Sequence, residues 1–185
     1  WSADSRSIYF TAPVRGYQPL YKVSVDGGRI SEVIPNLAIG SFDLAPNGDI
    51  YYTSSRTGKP SALYKATVVS GRKQSLANTF WETQITHLND SLETAVDLRP
   101  SEAMWVKGAG GDSVEVFVVK PHGSEQGKKY PLVINVHGGP QMQWMNSFRA
   151  DWQVYPAAGY VLAYPNPHGS TGYGQKFCRD ISGSW

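Results

Sequence analysis

A repeat of about 42 residues in the first half of the chain constrains the fold more than any other feature. The segment Ile8-Tyr9-Phe10-Thr11 returns 42 positions later as Ile50-Tyr51-Tyr52-Thr53, and Leu20-Tyr21-Lys22 returns 43 positions later as Leu63-Tyr64-Lys65. Gly28-Arg29 likewise has a counterpart in Gly71-Arg72, at the same offset of 43. Several anchors in one register indicate a structural repeat rather than chance similarity.

Each repeat unit has the pattern of antiparallel strands joined by hairpins. Short aromatic and β-branched runs alternate with turn sequences such as Asp26-Gly27-Gly28 and Pro46-Asn47-Gly48-Asp49. A period of roughly 40 to 45 residues with several short strands predicts blades of a β-propeller. A propeller closes with typically four to eight blades, and residues 1–85 supply about two, so we expect further blades upstream. The alternative is a small two-sheet β-domain whose repeat is accidental.

The second half of the chain has a different pattern, typical of an α/β fold. Strands are predicted at Ala103–Lys107, Val114–Val119 and Leu132–Val136, and again within Gly159–Tyr164. The run Leu132–Val136 is nearly all apolar, which favours a central strand covered on both faces. A strand, a helix and a second strand in this order predict the crossover of a parallel sheet.

A short amphipathic helix is predicted between the last two of these strands. Phe148, Trp152 and Tyr155 follow each other at helical spacing, behind the capping candidates Asn146 and Ser147. Pro156 is expected to end or bend this helix. The fold predicted for the whole chain is therefore mixed: the C-terminal blades of a β-propeller (1–85), a connecting segment (86–97) and the N-terminal part of an α/β domain (98–185), which the glycine motif described next assigns to the α/β-hydrolase type.

The motif His137-Gly138-Gly139-Pro140 follows the most apolar predicted strand. Two adjacent glycines let backbone N–H groups turn towards a ligand, since no Cβ blocks the unusual dihedrals. In α/β-hydrolases a glycine loop after the third strand donates such an N–H to the oxyanion of acyl transfer. We therefore predict that His137, Gly138 and Gly139 form an oxyanion loop. A tight turn without a ligand is the alternative.

A second glycine-rich segment, Gly169-Ser170-Thr171-Gly172-Tyr173-Gly174, follows the last strand. It has neither the Gly-x-Gly-x-x-Gly spacing nor the Gly-Lys-Ser/Thr ending of a phosphate loop. His168 and Tyr173 are candidates for lining a substrate cleft here, and a purely structural loop is the other interpretation. No metal site is predicted, because no cysteine or carboxylate cluster stands at ligand spacing from a histidine.

Composition narrows the classes of partner. The net charge of +2, from 17 basic and 15 acidic residues, provides no basic stripe for nucleic acid. No apolar run has the roughly 18 residues that a membrane-spanning helix needs. A Gly-x-Ser-x-Gly nucleophile motif does not occur among the 185 residues. Since the serine, the acid and the histidine of a hydrolase triad follow the glycine loop in that order, we expect all three to lie outside this chain.

The motifs together resemble one peptidase family. Blade-like repeats, then Lys129-Tyr130-Pro131-Leu132-Val133-Ile134 and Val136-His137-Gly138-Gly139-Pro140-Gln141, resemble the prolyl oligopeptidase family of serine peptidases. The segment from Asn166 to Gln175 is similar to its acylaminoacyl-peptidase and dipeptidyl-peptidase V branch. In that family an arginine commonly stands at the place of His168, so the resemblance predicts no arginine salt bridge at this position.

The resemblance implies a size-selecting propeller stacked on a hydrolase domain whose serine cleaves short peptides near the N-terminus. The expected activity of the parent protein is release of dipeptides; an acylaminoacyl-peptidase, an esterase of the same fold or a propeller-bearing binding protein without a triad are alternatives. It implies a peptide substrate, no cofactor, and no nucleic-acid or membrane partner. It favours a periplasmic or secreted location, leaves a cytoplasmic one open, and is compatible with a homodimer.

Overall fold

The repeat region forms two antiparallel sheets in the computed structural model, which describes residues 1–69 and 79–183. The first sheet contains β1 (Ser7–Thr11), β2 (Leu20–Ser24) and β3 (Ser31–Ile34), in that order. The second is a four-stranded meander of β4 (Ala38–Leu44), β5 (Ile50–Arg56), β6 (Lys59–Val69) and β7 (Thr79–Gln84). The order of the strands along the chain is thus also their order in each sheet.

The repeat anchors occupy equivalent strands, as the sequence predicts. The first anchor lies in β1 and its copy begins β5, while the second begins β2 and its copy lies within β6. Each pair of strands is antiparallel, with Tyr9 opposite Lys22 and Tyr52 opposite Tyr64. The third anchor's copy, Gly71-Arg72, lies outside the described residues.

Both antiparallel sheets contribute to one apolar core. Leu20 and Ile34 from the first sheet are fully buried, as are Ile39, Ile50 and Tyr52 from the second. The two aromatic rings of the β5–β6 pair, Tyr52 and Tyr64, stack with centroids 5.7 Å apart. Burying several such side chains stabilises each by roughly 1.5–3 kcal/mol relative to an exposed one, so this shared core holds the two sheets together.

A mixed four-stranded sheet follows a short connection that carries helix α1 (Asp90–Ala95), which the sequence analysis missed. Its strands are β8 (Glu102–Lys107), β9 (Ser113–Val119), β10 (Leu132–Ile134) and β11 (Val161–Asn166), in the order β8-β9-β11-β10. A 3-10 turn, Ala109–Gly111, joins β8 to β9. β10 and β11 are parallel, so the predicted crossover is confirmed.

Helix α2 (Ala150–Ala157) forms that crossover and packs on one face of the sheet. Its Trp152 is fully buried and stacks on Tyr164 of β11 at 3.9 Å between ring centroids. On the other face, Phe177 of the short helix α3 (Gln175–Arg179) packs against β9 and β11. Both faces of the inner strands are therefore covered.

The predicted start of helix α2 is wrong, whereas its predicted end near Pro156 is confirmed. The capping candidates Asn146 and Ser147, and Phe148 with them, precede α2, whose N-terminal cap is Arg149. Asn146 is instead engaged by Thr57, whose N–H and hydroxyl both donate to its side-chain oxygen, at 3.0 and 2.8 Å. Pro156 lies in the last turn of the helix, which ends one residue later.

The apolar run Leu132–Val136 is not central in the described residues. β10 ends at Ile134 and lies at the edge of its sheet, where only β11 pairs with it. Leu132, Ile134 and Val136 are 55%, 59% and 57% exposed. Their hydrophobicity is that of a covered strand, but nothing within the described part of the chain covers this side.

Two turns of the antiparallel sheets contact the mixed sheet. The turn between β5 and β6 carries Thr57, which is completely buried; its hydroxyl also lies 2.8 Å from the Tyr164 hydroxyl and 3.1 Å from that of Ser101. The loop between β1 and β2 carries Gly16, whose carbonyl accepts the N–H of Asn146 at 2.8 Å. The segment between β10 and α2 is therefore held by both antiparallel sheets.

Candidate active site

The loop that follows β10 contains the predicted oxyanion motif. β10 is the third strand of its sheet along the chain, and the loop lies at its carboxyl end, where α/β sheets gather their ligand-binding loops. Gly139 has a φ of +135°, and a Cβ there would lie 3.1 Å from the backbone nitrogen of Gln141. Glycine is required at this position because a side chain would be strained by the dihedral and crowded by the next turn.

Among the residues that the structure describes, no group accepts a hydrogen bond from the N–H of Gly138 or Gly139. Both residues are exposed. A Cβ placed at Gly138 would meet open space. Adjacent free N–H groups on a glycine loop are suited to binding a negatively charged oxygen.

The side chain of His137 points into the protein rather than towards the open side of this loop. It is 9% exposed, with its ring edge-on to Trp144 at 5.9 Å between centroids. Its Nε2 lies 2.8 Å from the Oγ of Ser170, which donates its single hydrogen to the carbonyl of Pro167 at 2.6 Å. The Nδ1 of the same ring lies 3.0 Å from the Gly138 carbonyl. His137 therefore ties the two glycine-rich loops together through its ring and leaves the N–H groups of Gly138 and Gly139 for a ligand.

The second glycine-rich loop lies directly against the first. A Cβ at Gly169 would come within 2.8 Å of Pro140 Cβ, so the two loops touch at a point that admits only glycine. The N–H of Thr171 donates to the carbonyl of Met142 at 2.9 Å. The two motifs singled out in the sequence are thus brought together at one edge of the sheet.

Tyr173, a predicted cleft residue, has its hydroxyl within a buried polar network. It donates to Oε2 of Glu115 at 2.7 Å and accepts from the side-chain nitrogen of Asn166 at 2.8 Å. Burial raises the pKa of Tyr173 strongly, and the adjacent Glu115 raises it further. Its ring lines a cavity of about 450 Å³ together with Arg15, Trp105 and Phe177. Tyr173 is therefore a structural anchor whose ring also borders a cleft.

His168, the other cleft candidate, is paired rather than free. Its Nε2 lies 2.9 Å from Oδ2 of Asp112, and its ring stacks on Phe177 at 4.4 Å. The hydrogen bond with His168 lowers the pKa of Asp112. His168 thus has a carboxylate partner, a pairing that the sequence did not predict.

Asp180 completes a group of three possible metal ligands with Asp112 and His168, whose ligand atoms lie within 4.8 Å of one another. The ammonium of Lys176 lies 2.6 Å from Oδ2 of Asp180 and already neutralises that carboxylate. Ion pairing explains this cluster without a cation.

Several buried polar residues that position the loops gave no sequence signal. Asn166 is fully buried; it accepts the N–H of Trp144 at 2.7 Å and donates to the same residue's carbonyl at 3.0 Å. Gln143 and Thr57 bridge to the antiparallel sheets. None of these residues belongs to a motif, because their partners are distant in the chain.

Comparison with known proteins shows which family the chain is similar to. The model of the prolyl oligopeptidase family matches residues 146–185. The chain resembles this family. Over its full length it is 29% identical to the uncharacterized peptidase YuxL of Bacillus subtilis (strain 168) and 30% identical to the dipeptidyl-peptidase 5 of Trichophyton schoenleinii. It covers 27% and 25% of those two proteins.

Solved structures have the same fold. The chain superposes on Pyrococcus horikoshii acylaminoacyl peptidase with a TM-score of 0.76 and 24% identity, covering 95% of this chain and 26% of that one. An acylaminoacyl peptidase in complex with Z-Gly-Gly-Phe-chloromethyl ketone gives a TM-score of 0.77 at 23% identity, with the same coverage. The chain therefore spans about a quarter of the length of the proteins it matches.

Among residues 1–69 and 79–183, no helix is long and apolar enough to cross a membrane.

Proposed function

We propose that the protein containing this chain is a serine peptidase that hydrolyses short peptides near the N-terminus, and that this chain supplies its oxyanion loop. The observation that carries the proposal is the pair of free N–H groups at Gly138 and Gly139, on the loop after the third strand of the sheet. In α/β-hydrolases this loop stabilises the tetrahedral intermediate. Similarity to peptidases along the whole of this chain supports the same chemistry.

In this mechanism a serine attacks the scissile carbonyl, a histidine relays its proton and a carboxylate orients the histidine. The serine, histidine and acid belong to the remainder of the protein. The backbone of Gly138 or Gly139 donates one of the hydrogen bonds to the oxyanion. The His137 ring contacts Ser170 of the second glycine-rich loop and thereby holds the oxyanion loop in place.

The division into domains is part of the proposal. Residues 1–85 are assigned to about two propeller blades, 86–97 to a connection and 98–185 to the start of the hydrolase domain. The two antiparallel sheets end with β7 at Gln84, α1 lies within the connection, and β8 opens the mixed sheet at Glu102. The exposed side of β10 is then a surface that the rest of the hydrolase sheet covers.

Release of dipeptides is the favoured activity, because dipeptidyl-peptidase 5 proteins are among the relatives that match along the whole of this chain. Acylaminoacyl-peptidase activity is the second candidate, favoured by the structural match. Chromogenic substrates separate them. We expect the full-length protein to cleave a dipeptidyl-p-nitroanilide with a free amino group faster than an N-acetylaminoacyl-p-nitroanilide. Preference for the acetylated substrate would favour the second candidate, and cleavage of p-nitrophenyl butyrate alone would make the protein an esterase.

A further inference from the structure

Gln143 lies in the segment between the oxyanion loop and α2, and its side chain is 8% exposed. Its Oε1 accepts the N–H of Gly16 at 3.1 Å, and its Nε2 donates to the carbonyl of Tyr17 at 2.9 Å. Both ends of the amide are thus bound to the backbone of one loop of the first antiparallel sheet. A buried amide satisfied at both ends fixes the relative position of the two segments it joins.

The surroundings of Gln143 leave it little freedom. A Cβ at Gly172 would lie 2.4 Å from Gln143 Oε1, so this residue of the second loop must be glycine while the amide stays in place. A Cβ at Gly16 would overlap the ring of Phe117 at 2.3 Å. The N–H of Arg15 donates to the carbonyl of Gly172 at 3.2 Å. The Gln143 amide is therefore enclosed by the loop at Gly16 and by the second glycine-rich loop.

A short path of contacts leads from Gln143 to the oxyanion loop. The preceding residue, Met142, donates its N–H to the carbonyl of Pro140 at 2.9 Å. Its Cγ lies 3.3 Å from the Cβ position of Gly139. Moving Gln143 therefore moves the turn against which Gly139 packs.

We propose that Gln143 is a positioning residue for the oxyanion loop: its amide clamps the Gly16–Tyr17 backbone and thereby sets where the Gly138 and Gly139 N–H groups point. This inference rests on the proposed function and adds a specific residue to it. It makes transition-state stabilisation depend on contact with the first antiparallel sheet, although Gln143 itself touches no reacting atom.

The test is Gln143→Met in the full-length protein, since methionine keeps the length of the side chain and removes both hydrogen bonds. The matched control is Gln153→Met. Gln153 donates to the carbonyls of Thr57 and Arg99, at 2.7 and 3.1 Å, but lies on α2, away from residues 137–142. For each variant, kcat is normalised by active-site titration, and KM, melting temperature and the Ki of a peptide boronate are measured.

We expect Gln143→Met to lower kcat per titrated site roughly tenfold or more with little change in KM, since loss of a full oxyanion donor costs about 10²- to 10³-fold. The boronate, whose adduct is tetrahedral, should lose affinity in the same proportion. Gln153→Met should lower the melting temperature and leave kcat unchanged. A kcat per titrated site for Gln143→Met that equals the wild-type value would overturn the proposal, because Gln143 would then act on stability alone. An equal fall in kcat for both variants would overturn it too, because the effect would not be specific to Gln143.

A second variant tests the same effect in case Gln143→Met does not fold. Gln143→Glu retains an acceptor for Gly16 and loses the donor to Tyr17; it should show the same fall in kcat. Failure of both variants to fold would assign Gln143 to folding and overturn the positioning role. An inactive wild-type protein would instead contradict the proposed function, so the two failures are distinguishable.

Discussion

Gly139 is the residue at which backbone geometry and proposed chemistry coincide. Its φ of +135° and the nearby Gln141 nitrogen disfavour any side chain. In the full-length protein we expect Gly139→Val to lower kcat by roughly 10²- to 10³-fold, because the loop must move and its N–H leaves the oxyanion.

Gly48→Val is the control: Gly48 also has a positive φ, of +89°, but lies in the β4–β5 turn with open space around it. It should reduce stability without lowering kcat, and an unchanged kcat in folded Gly139→Val would make the motif a structural turn.

Glu115 is a buried carboxyl group whose charge opposes folding. Burial raises its pKa above the ordinary value of 4.5, while the hydrogen bond from Tyr173 and the charge of Arg15 act in the opposite direction. Because the folded pKa is raised, the protonated carboxyl is tolerated in the fold, and no stability is lost below pH 4.5. The free energy of unfolding falls as the pH rises through the folded pKa, since the buried group then ionises.

Glu115→Gln should therefore gain stability relative to the wild type as the pH rises from about 4 to about 8. The glutamine oxygen still accepts from Tyr173, so little else changes. Urea denaturation of both proteins at the two pH values measures the difference, with the exposed Glu125→Gln as control. A difference that stays constant with pH would show that Glu115 carries no such penalty.

At the scale of elements, the β5–β6 turn links the repeat region to the mixed sheet through a buried threonine. The Thr57 hydroxyl contacts Asn146, Ser101 and Tyr164, all within 3.1 Å. Thr57→Val keeps the shape of the side chain and removes all three hydroxyl contacts, while Asn146 keeps the backbone N–H of residue 57. We expect the free energy of unfolding to fall by about 1–3 kcal/mol, measured by urea denaturation.

The control for that prediction is Thr53→Val. The Thr53 hydroxyl bonds with Ser41 in an exposed part of β5, and valine is a good strand residue. It should change stability by no more than about 0.5 kcal/mol. Equal losses for the two variants would mean that the buried network at Thr57 adds nothing specific.

The sequence predicted elements whose signals are local. The repeat anchors lie in equivalent strands, and the apolar segment around Leu162 forms a buried strand, because strand propensity and turn chemistry act over a few residues. The glycine motifs were recognised for the same reason. Helix α1 was missed because its six residues include no buried side chain and hence no apolar stripe.

Properties that depend on distant partners were not predictable. The edge position of β10 depends on which strands pair with it, and hydrophobicity reports only that a strand is suited to burial. The bonds of Gln143 and Asn146 reach about 90 or more positions back along the chain. Pairing of His168 with Asp112 spans 56 positions, so no spacing rule could have found it.

At the scale of the whole molecule, the chain combines parts of two architectures that meet at the candidate site. The loop at Gly16 and the turn at Thr57 both hold the segment between β10 and α2, so the proposed oxyanion loop lies at a junction between sheets. The solved relatives are about four times as long as this chain, and the remaining catalytic groups are proposed to lie in that additional length.

Fluorophosphonate labelling tests the central claim most directly, because the probe reacts only with an activated serine. The full-length protein and residues 1–185 alone are each treated with the probe, and the modified residue is located by mass spectrometry. We predict stoichiometric labelling of one serine in the full-length protein, outside these 185 residues, and no labelling of the isolated chain. Stoichiometric labelling of any serine within residues 1–185, or none in the full-length protein, would contradict the assignment of this chain as the oxyanion-loop portion of a serine peptidase.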